Sequence, residues 1–139
     1  MLSLSTEAYQ RMVGHCYDAL PDEACGLLAG PPAMANSAGA VVSVTYPTGN
    51  AAASARVFTV EPGDHLRAER DAESRGLEIL GVFHSHTHTV AYPSPTDVAQ
   101  APDPNWHYVL VSLADDAPVV RSYLIVDGNI AEEPVVLGA

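Results

Sequence analysis

An apolar run, Leu77-Glu78-Ile79-Leu80-Gly81-Val82-Phe83, passes directly into His84-Ser85-His86-Thr87-His88-Thr89-Val90-Ala91-Tyr92-Pro93-Ser94-Pro95-Thr96-Asp97. No other stretch restricts the fold as much. The run reads as a buried strand bounded by Gly and polar turns. Alternate residues of a strand share a face, so a strand continuing to His86 points His84 and His86 the same way, about 7 Å apart along the backbone. Two imidazoles at that separation can converge on one metal ion. The chain then loops through Tyr92-Pro93 to a helix start, with Ser94 as N-cap, Pro95 as first helical residue and Asp97 as first-turn carboxylate. A loop of this length can fold back and bring Asp97 to the open side of the histidines. Two His and one Asp suit Zn²⁺ with a fourth position left for water.

The parts of this pattern are individually weak. A chain with six histidines produces an H-x-H pair by chance often enough, and Ser94 with Asp97 alone reads as a helix cap and its reciprocal acidic partner. The full spacing, H-x-H-x7-S-x2-D placed straight after an apolar strand, restricts four residue types at set offsets and is much more specific. That stretch resembles, without a gap, the signature of the JAMM (MPN+) metalloproteases, in which an upstream Glu precedes H-x-H-x7-S-x2-D. The resemblance implies that His84, His86 and Asp97 hold one Zn²⁺ per chain and that Ser94 has a catalytic part.

The remaining chain is read in order. Ser5 or Thr6 caps a first helix that runs to about Leu20, where Pro21 stops it; Tyr9, Met12, Val13, Cys16 and Leu20 form its apolar stripe. Ala24 to Ala29, ended by Gly30-Pro31-Pro32, reads as a buried strand with Glu23 at its entrance. A carboxylate there is ordinarily a solvated edge residue. JAMM enzymes carry their catalytic Glu on the first strand, in a run much like Pro21-Asp22-Glu23-Ala24-Cys25-Gly26-Leu27, so the resemblance implies that Glu23 is catalytic. Cys25 has no basic neighbour and reads as inert packing.

Residues 31–40 are small and Pro-rich, a surface loop. Val41 to Tyr46 is expected to be a second strand, Ala51 to Ala55 a connector of low information, and Arg56 to Val60 a short third strand. Glu61-Pro62-Gly63-Asp64 opens a charged helix that Gly76 ends, with His65 on its surface. After the Ser94 helix, which extends to about Gln100 or Ala101, His107 to Leu113, Val119 to Val126 and Asn129 to Val136 read as an antiparallel meander, with Asp127-Gly128 as a hairpin turn.

The expected fold is α+β, and the resemblance implies a single MPN (JAB/JAMM) domain over residues 1–139. That fold is a mixed β-sheet flanked by helices, with the zinc site at the end of a central strand. Its likeness extends to Tyr92–Val98, His107–Ser112 and Arg121–Gly128.

Composition narrows the partners. Six Lys and Arg against 17 Asp and Glu give a net charge of -11; such a surface repels phosphate backbones, so no nucleic acid is expected. No apolar run approaches a membrane span and the N-terminus lacks a signal-peptide pattern, so no membrane is expected either. Cys16 and Cys25 are too few for a disulfide framework and fit a reducing cytoplasm.

By resemblance, the substrate is a small ubiquitin-like sulfur-carrier protein with a Gly-Gly tail, hydrolysed after the last Gly to release cysteine or a short C-terminal extension. Glu23 is expected to act as general base and Ser94 as oxyanion donor. Strand addition beside the metal strand would hold the tail. The alternatives are an isopeptidase that removes a ubiquitin-like modifier from lysine, and a non-catalytic MPN binding scaffold, which the full set of Glu23, His84, His86, Ser94 and Asp97 disfavours. A zinc deaminase requires H-x-E with P-C-x-x-C, and neither occurs in the sequence. His88 continues the period-two pattern but is not used by the family signature; it is expected to face solvent at the loop start.

Overall fold

The computed structural model describes residues 1–32 and 39–138. Most of the predicted 31–40 loop, residues 33–38, lies outside the described residues. Elements follow in the order β1 (Leu2–Leu4), α1 (Thr6–Asp18), β2 (Cys25–Gly30), β3 (Ala40–Val42), β4 (Val44–Thr48), α2 (Pro62–Ser74), β5 (Glu78–His86), α3 (Pro95–Ala99), β6 (His107–Ser112), β7 (Val119–Val126), β8 (Asn129–Glu133) and β9 (Val135–Leu137).

The main sheet has six strands in the order β4-β2-β5-β6-β7-β8, and a second sheet has the order β3-β1-β9. In the main sheet β5 runs antiparallel to β2 and parallel to β6, while β6, β7 and β8 form the expected meander. The Asp127-Gly128 turn has φ of 51° and 79°, the left-handed pair that a two-residue hairpin of this twist requires.

Strand β5 is central, and its alternation separates two cores. Phe83 joins Leu28, Val109 and Val111 with Met12 and Cys16 of α1 on one face. Val82 joins Leu27, Tyr108, Leu110 and Tyr123 with Ala68 of α2 on the other. Gly81 allows β5 and β6 to close up, since a Cβ there would sit 2.1 Å from the His107 carbonyl oxygen.

Several predicted elements change. The strand expected over Val41 to Tyr46 is two strands, β3 and β4, which part at Ser43 and enter different sheets. The last strand likewise divides at Pro134, where no N–H is available to a ladder, and β9 crosses to the second sheet. No pattern announced β1, whose Leu2 and Leu4 are wholly buried between β3 and β9. Arg56 to Val60 is not a strand. Among the described residues its ladder contact is an isolated bridge from Val60 to Asn50, and the Asn50 side chain instead takes the Val57 carbonyl and the Thr59 N–H. Among the described residues the helices start at Ser5, Glu61 and Ser94 caps; of the Ser5 and Thr6 that the sequence offered for the first, the cap is Ser5.

Candidate metal centre

The face of β5 that buries Val82 goes on to present His84 and His86, as a period of two demands. His84 lies opposite Cys25 of β2 and Leu110 of β6; it is 4% exposed and His86 5%. Beyond the strand the chain is tied down rather than loose. Ser112 Oγ donates to the Thr89 carbonyl at 2.6 Å, and the Tyr123 hydroxyl donates to the Ala91 carbonyl. Helix α3 therefore starts from a defined point. Its capping box is complete: Ser94 Oγ accepts from Asp97 N at 3.1 Å, and Ser94 N donates to Asp97 Oδ2 at 2.9 Å.

That box aims the Asp97 carboxylate at the histidines. His84 Nε2 and His86 Nε2 are each 3.1 Å from Asp97 Oδ2, and 3.2 Å from one another. Among the described residues, these three side chains form a group able to hold a metal ion, with their ligand atoms all within 4.8 Å. Four-coordinate zinc with ligands at about 2.0–2.1 Å needs them about 3.3 Å apart, so the triangle has the right size. The donor set fits as well. His86 Nδ1 lies 2.8 Å from the Val90 carbonyl, which only accepts, so Nδ1 carries the proton and Nε2 offers a lone pair to the centre.

Electrostatics agree with a cation site. Burial alone would raise the Asp97 carboxyl, but the two imidazoles against it, His84 and His86, prevail and hold it far below the usual carboxylate range. Burial pulls the His84 imidazole below its ordinary 6.5, which favours the neutral ligand form. Burial acts on His86 too, but there the Asp97 and Val90 contacts outweigh it and the shift is upward.

Glu23 stands beside this group. Continuing the pairing of Cys25 with His84 by two residues places Glu23 opposite His86. The side chain is 4% exposed, and its Oε1 is buried with no hydrogen-bond partner. Burial raises its pKa from 4.5 to about 7; the nearby His86 lowers it and Asp97 raises it. A carboxyl in that range suits a general base at neutral pH. The unsatisfied oxygen is costly, and a water or substrate proton would satisfy it.

An apolar cavity of about 290 Å³ opens from the centre, walled by Phe58, Val82, Trp106 and Leu110, with His84 and Asp97 at its edge. The sequence reading placed none of these side chains in the wall of a cavity, because they come from segments far apart in the chain. Phe58 also stacks on His84, with ring centroids 4.2 Å apart and planes at 19°.

His88 is exposed and is not one of the three grouped side chains. His65 is half-buried rather than purely a surface residue: its Nε2 is 2.9 Å from Glu69 Oε1, and its ring leans on Trp106. Both cysteines are buried and unpaired. Burial pushes the Cys25 thiol up, consistent with packing and not with a nucleophile. Strand addition beside β5 finds no free edge over most of its length, because β2 lies along Glu78–His84 and β6 along Gly81–His86.

A family profile described as prokaryotic homologs of the JAB domain matches residues 5–126. CysO-cysteine peptidase of Mycobacterium tuberculosis is 40% identical over 136 residues, which cover 97% of this chain and 90% of that one. The solution structure of protein DSY2949 from Desulfitobacterium hafniense superposes with a TM-score of 0.89 at 37% identity, covering 99% of this chain and 92% of the other. AF2198, a JAB1/MPN domain protein from Archaeoglobus fulgidus, superposes with a TM-score of 0.64 over 99% of both chains; at 17% identity it bears on the fold alone.

Proposed function

The chain belongs to the prokaryotic JAB-domain family, with the mixed-sheet JAB/MPN fold, and from that premise we propose that it is a zinc metallopeptidase. Its substrate would be a small ubiquitin-like sulfur-carrier protein, cut at the amide bond after a C-terminal Gly-Gly to release cysteine or a short C-terminal extension. The observation that carries this reading is the convergence of His84, His86 and Asp97 within hydrogen-bonding distance of one another, beside Glu23, whose buried Oε1 has no hydrogen-bond partner. The 40% identity to a CysO-cysteine peptidase over nearly the whole chain supports the choice of substrate class. Two buried thiols without a disulfide fit a cytoplasmic setting.

Zn²⁺ held by His84, His86 and Asp97 would supply Lewis-acid polarisation and a water acidified to near neutral pH. Glu23 Oε1 takes the proton of the attacking water and later returns it to the leaving amine. Its burial serves that exchange, because a carboxylate near pKa 7 holds a proton long enough to deliver it. Ser94 Oγ accepts from the Asp97 backbone N–H as helix cap, and its own proton remains free to donate to the oxyanion. Orientation and proton transfer therefore depend on β2, β5 and the first turn of α3.

The test is to incubate the zinc-loaded protein with a sulfur carrier ending in Gly-Gly-Cys and weigh the product. Loss of one cysteine, suppressed by chelator, is expected. An unchanged mass alongside cleavage of a Gly-Gly–lysine isopeptide would transfer the activity to deconjugation; an unchanged mass of both would refute peptidase action.

A further inference from the structure

The segment between β4 and α2, unremarkable as sequence, crosses the metal centre and is tied there by one side chain. All four hydrogen-bonding positions of the Asn50 amide are used, and all four partners are backbone. Nδ2 donates to the Glu23 carbonyl at 3.0 Å and to the Val57 carbonyl at 3.1 Å. Oδ1 accepts from Ala52 N at 3.0 Å and from Thr59 N at 2.9 Å. The Ala51 N–H donates to the Thr59 carbonyl at 2.7 Å and closes the same loop.

The loop so closed bonds to the chain just before β2 and just after β5. The Ser54 carbonyl accepts from Glu23 N at 2.7 Å. The Ala55 carbonyl accepts from Thr87 Oγ1, just past the end of β5, at 3.2 Å. Phe58, one residue from two of the residues bonded to Asn50, lies flat on the His84 ring. Such a stack restricts rotation of the imidazole about its own axis, the motion that would carry Nε2 away from Asp97.

We propose that Asn50 and Phe58 are positioning residues of the metal centre, with Asn50 holding residues 51–60 closed so that Phe58 sets the orientation of His84. Groups of this kind, one shell out from the ligands, are commonly worth about 10- to 100-fold in metal affinity. The inference rests on the zinc reading above and concerns residues outside the set of three ligands. Phe58 also lines the cavity, so turnover would mix its effect on substrate with its effect on His84. Metal binding separates the two.

The experiment measures Zn²⁺ affinity by chelator competition, and the visible spectrum of the Co²⁺-substituted protein, for the parent, Phe58→Leu, Phe58→Tyr, Asn50→Ala and the Asn50→Ala/Phe58→Leu double variant. Phe58→Leu and Asn50→Ala are each expected to lose about tenfold or more in zinc affinity and to shift the Co²⁺ bands. Phe58→Tyr retains a flat ring and should stay within about twofold of the parent. The double variant should be no weaker than the weaker single one, since both changes release the same contact. If Asn50→Ala does not fold, Asn50→Asp replaces it, keeping the accepted bonds and losing the two donated ones.

Affinities of Phe58→Leu and Asn50→Ala within about twofold of the parent, with unshifted Co²⁺ bands, would overturn the proposal. Additive losses in the double variant would overturn the link between the two residues. A parent chain that binds no zinc would refute the metal reading itself, a separate result read from the parent alone.

Discussion

One oxygen of Asp97 accepts from the Ser94 backbone N–H while facing both histidines, so Ser94 serves the site through its backbone as well as its hydroxyl. The two roles can be separated by substitution. Ser94→Ala should cost about 1 kcal/mol of stability as a lost N-cap, whereas Ser94→Gly costs only a few tenths. Both should lower the turnover of the zinc-loaded protein by about 10²- to 10³-fold, because both lack the donor. Thermal unfolding and kcat together check this; turnover that follows stability would reduce Ser94 to a cap. At this scale the sequence was most informative: H-x-H-x7-S-x2-D named the residues that the fold brings together. Asn50 and Phe58 escaped it, because one acts only through backbone groups and the other through a ring stacked across a loop, and neither leaves a local pattern.

Among the elements, β5 is held at both ends. Its C-terminal end carries the histidines, and near its other end Gly81 lies against His107 of β6. The His107 imidazole in turn meets Glu133 of β8, Nδ1 to Oε2, at 2.6 Å, and Ser122 Oγ donates to the same oxygen at 3.1 Å. Burial tends to raise the Glu133 carboxyl, but these contacts prevail and its pKa lies below the ordinary 4.5. A depressed carboxyl stabilises the fold above its unfolded pKa and loses that contribution as pH falls through the folded one. Glu133→Gln should therefore cost about 1.5–3 kcal/mol at pH 7, a deficit that shrinks below about pH 4.5. Urea unfolding of both proteins across that range checks it, and a deficit independent of pH would contradict it. The strands and helices of this region were legible from alternation and caps. The breaks at Ser43 and Pro134 were not, since a strand changes sheets for reasons of long-range pairing, and the three residues of β1 are too few to show a period.

For the molecule as a whole, two apolar cores pack on opposite faces of the main sheet. Chelation should then abolish activity and leave the fold cooperative. With zinc at about a thousand times its dissociation constant the linkage is worth about 4 kcal/mol, so removal should lower Tm on the order of 10 °C. Far-UV circular dichroism at 25 °C should stay unchanged; unfolding on chelation would make the metal structural. The placement of the site at the end of a central strand was implied by the family resemblance, while the α+β class could be read in advance from the order of apolar runs and caps. What covers the site could not, because residues 51–60 have small or mixed side chains and take their shape from Asn50 and from strands distant in sequence.

The most direct test compares zinc content with turnover in Glu23→Gln and Asp97→Asn. The first should keep one zinc per chain and lose about 10²- to 10⁴-fold in rate, as a missing general base would; the second should lose both zinc and rate. A Glu23→Gln protein as active as the parent, or an Asp97→Asn protein that still holds its zinc, would contradict the shared centre from which everything else follows.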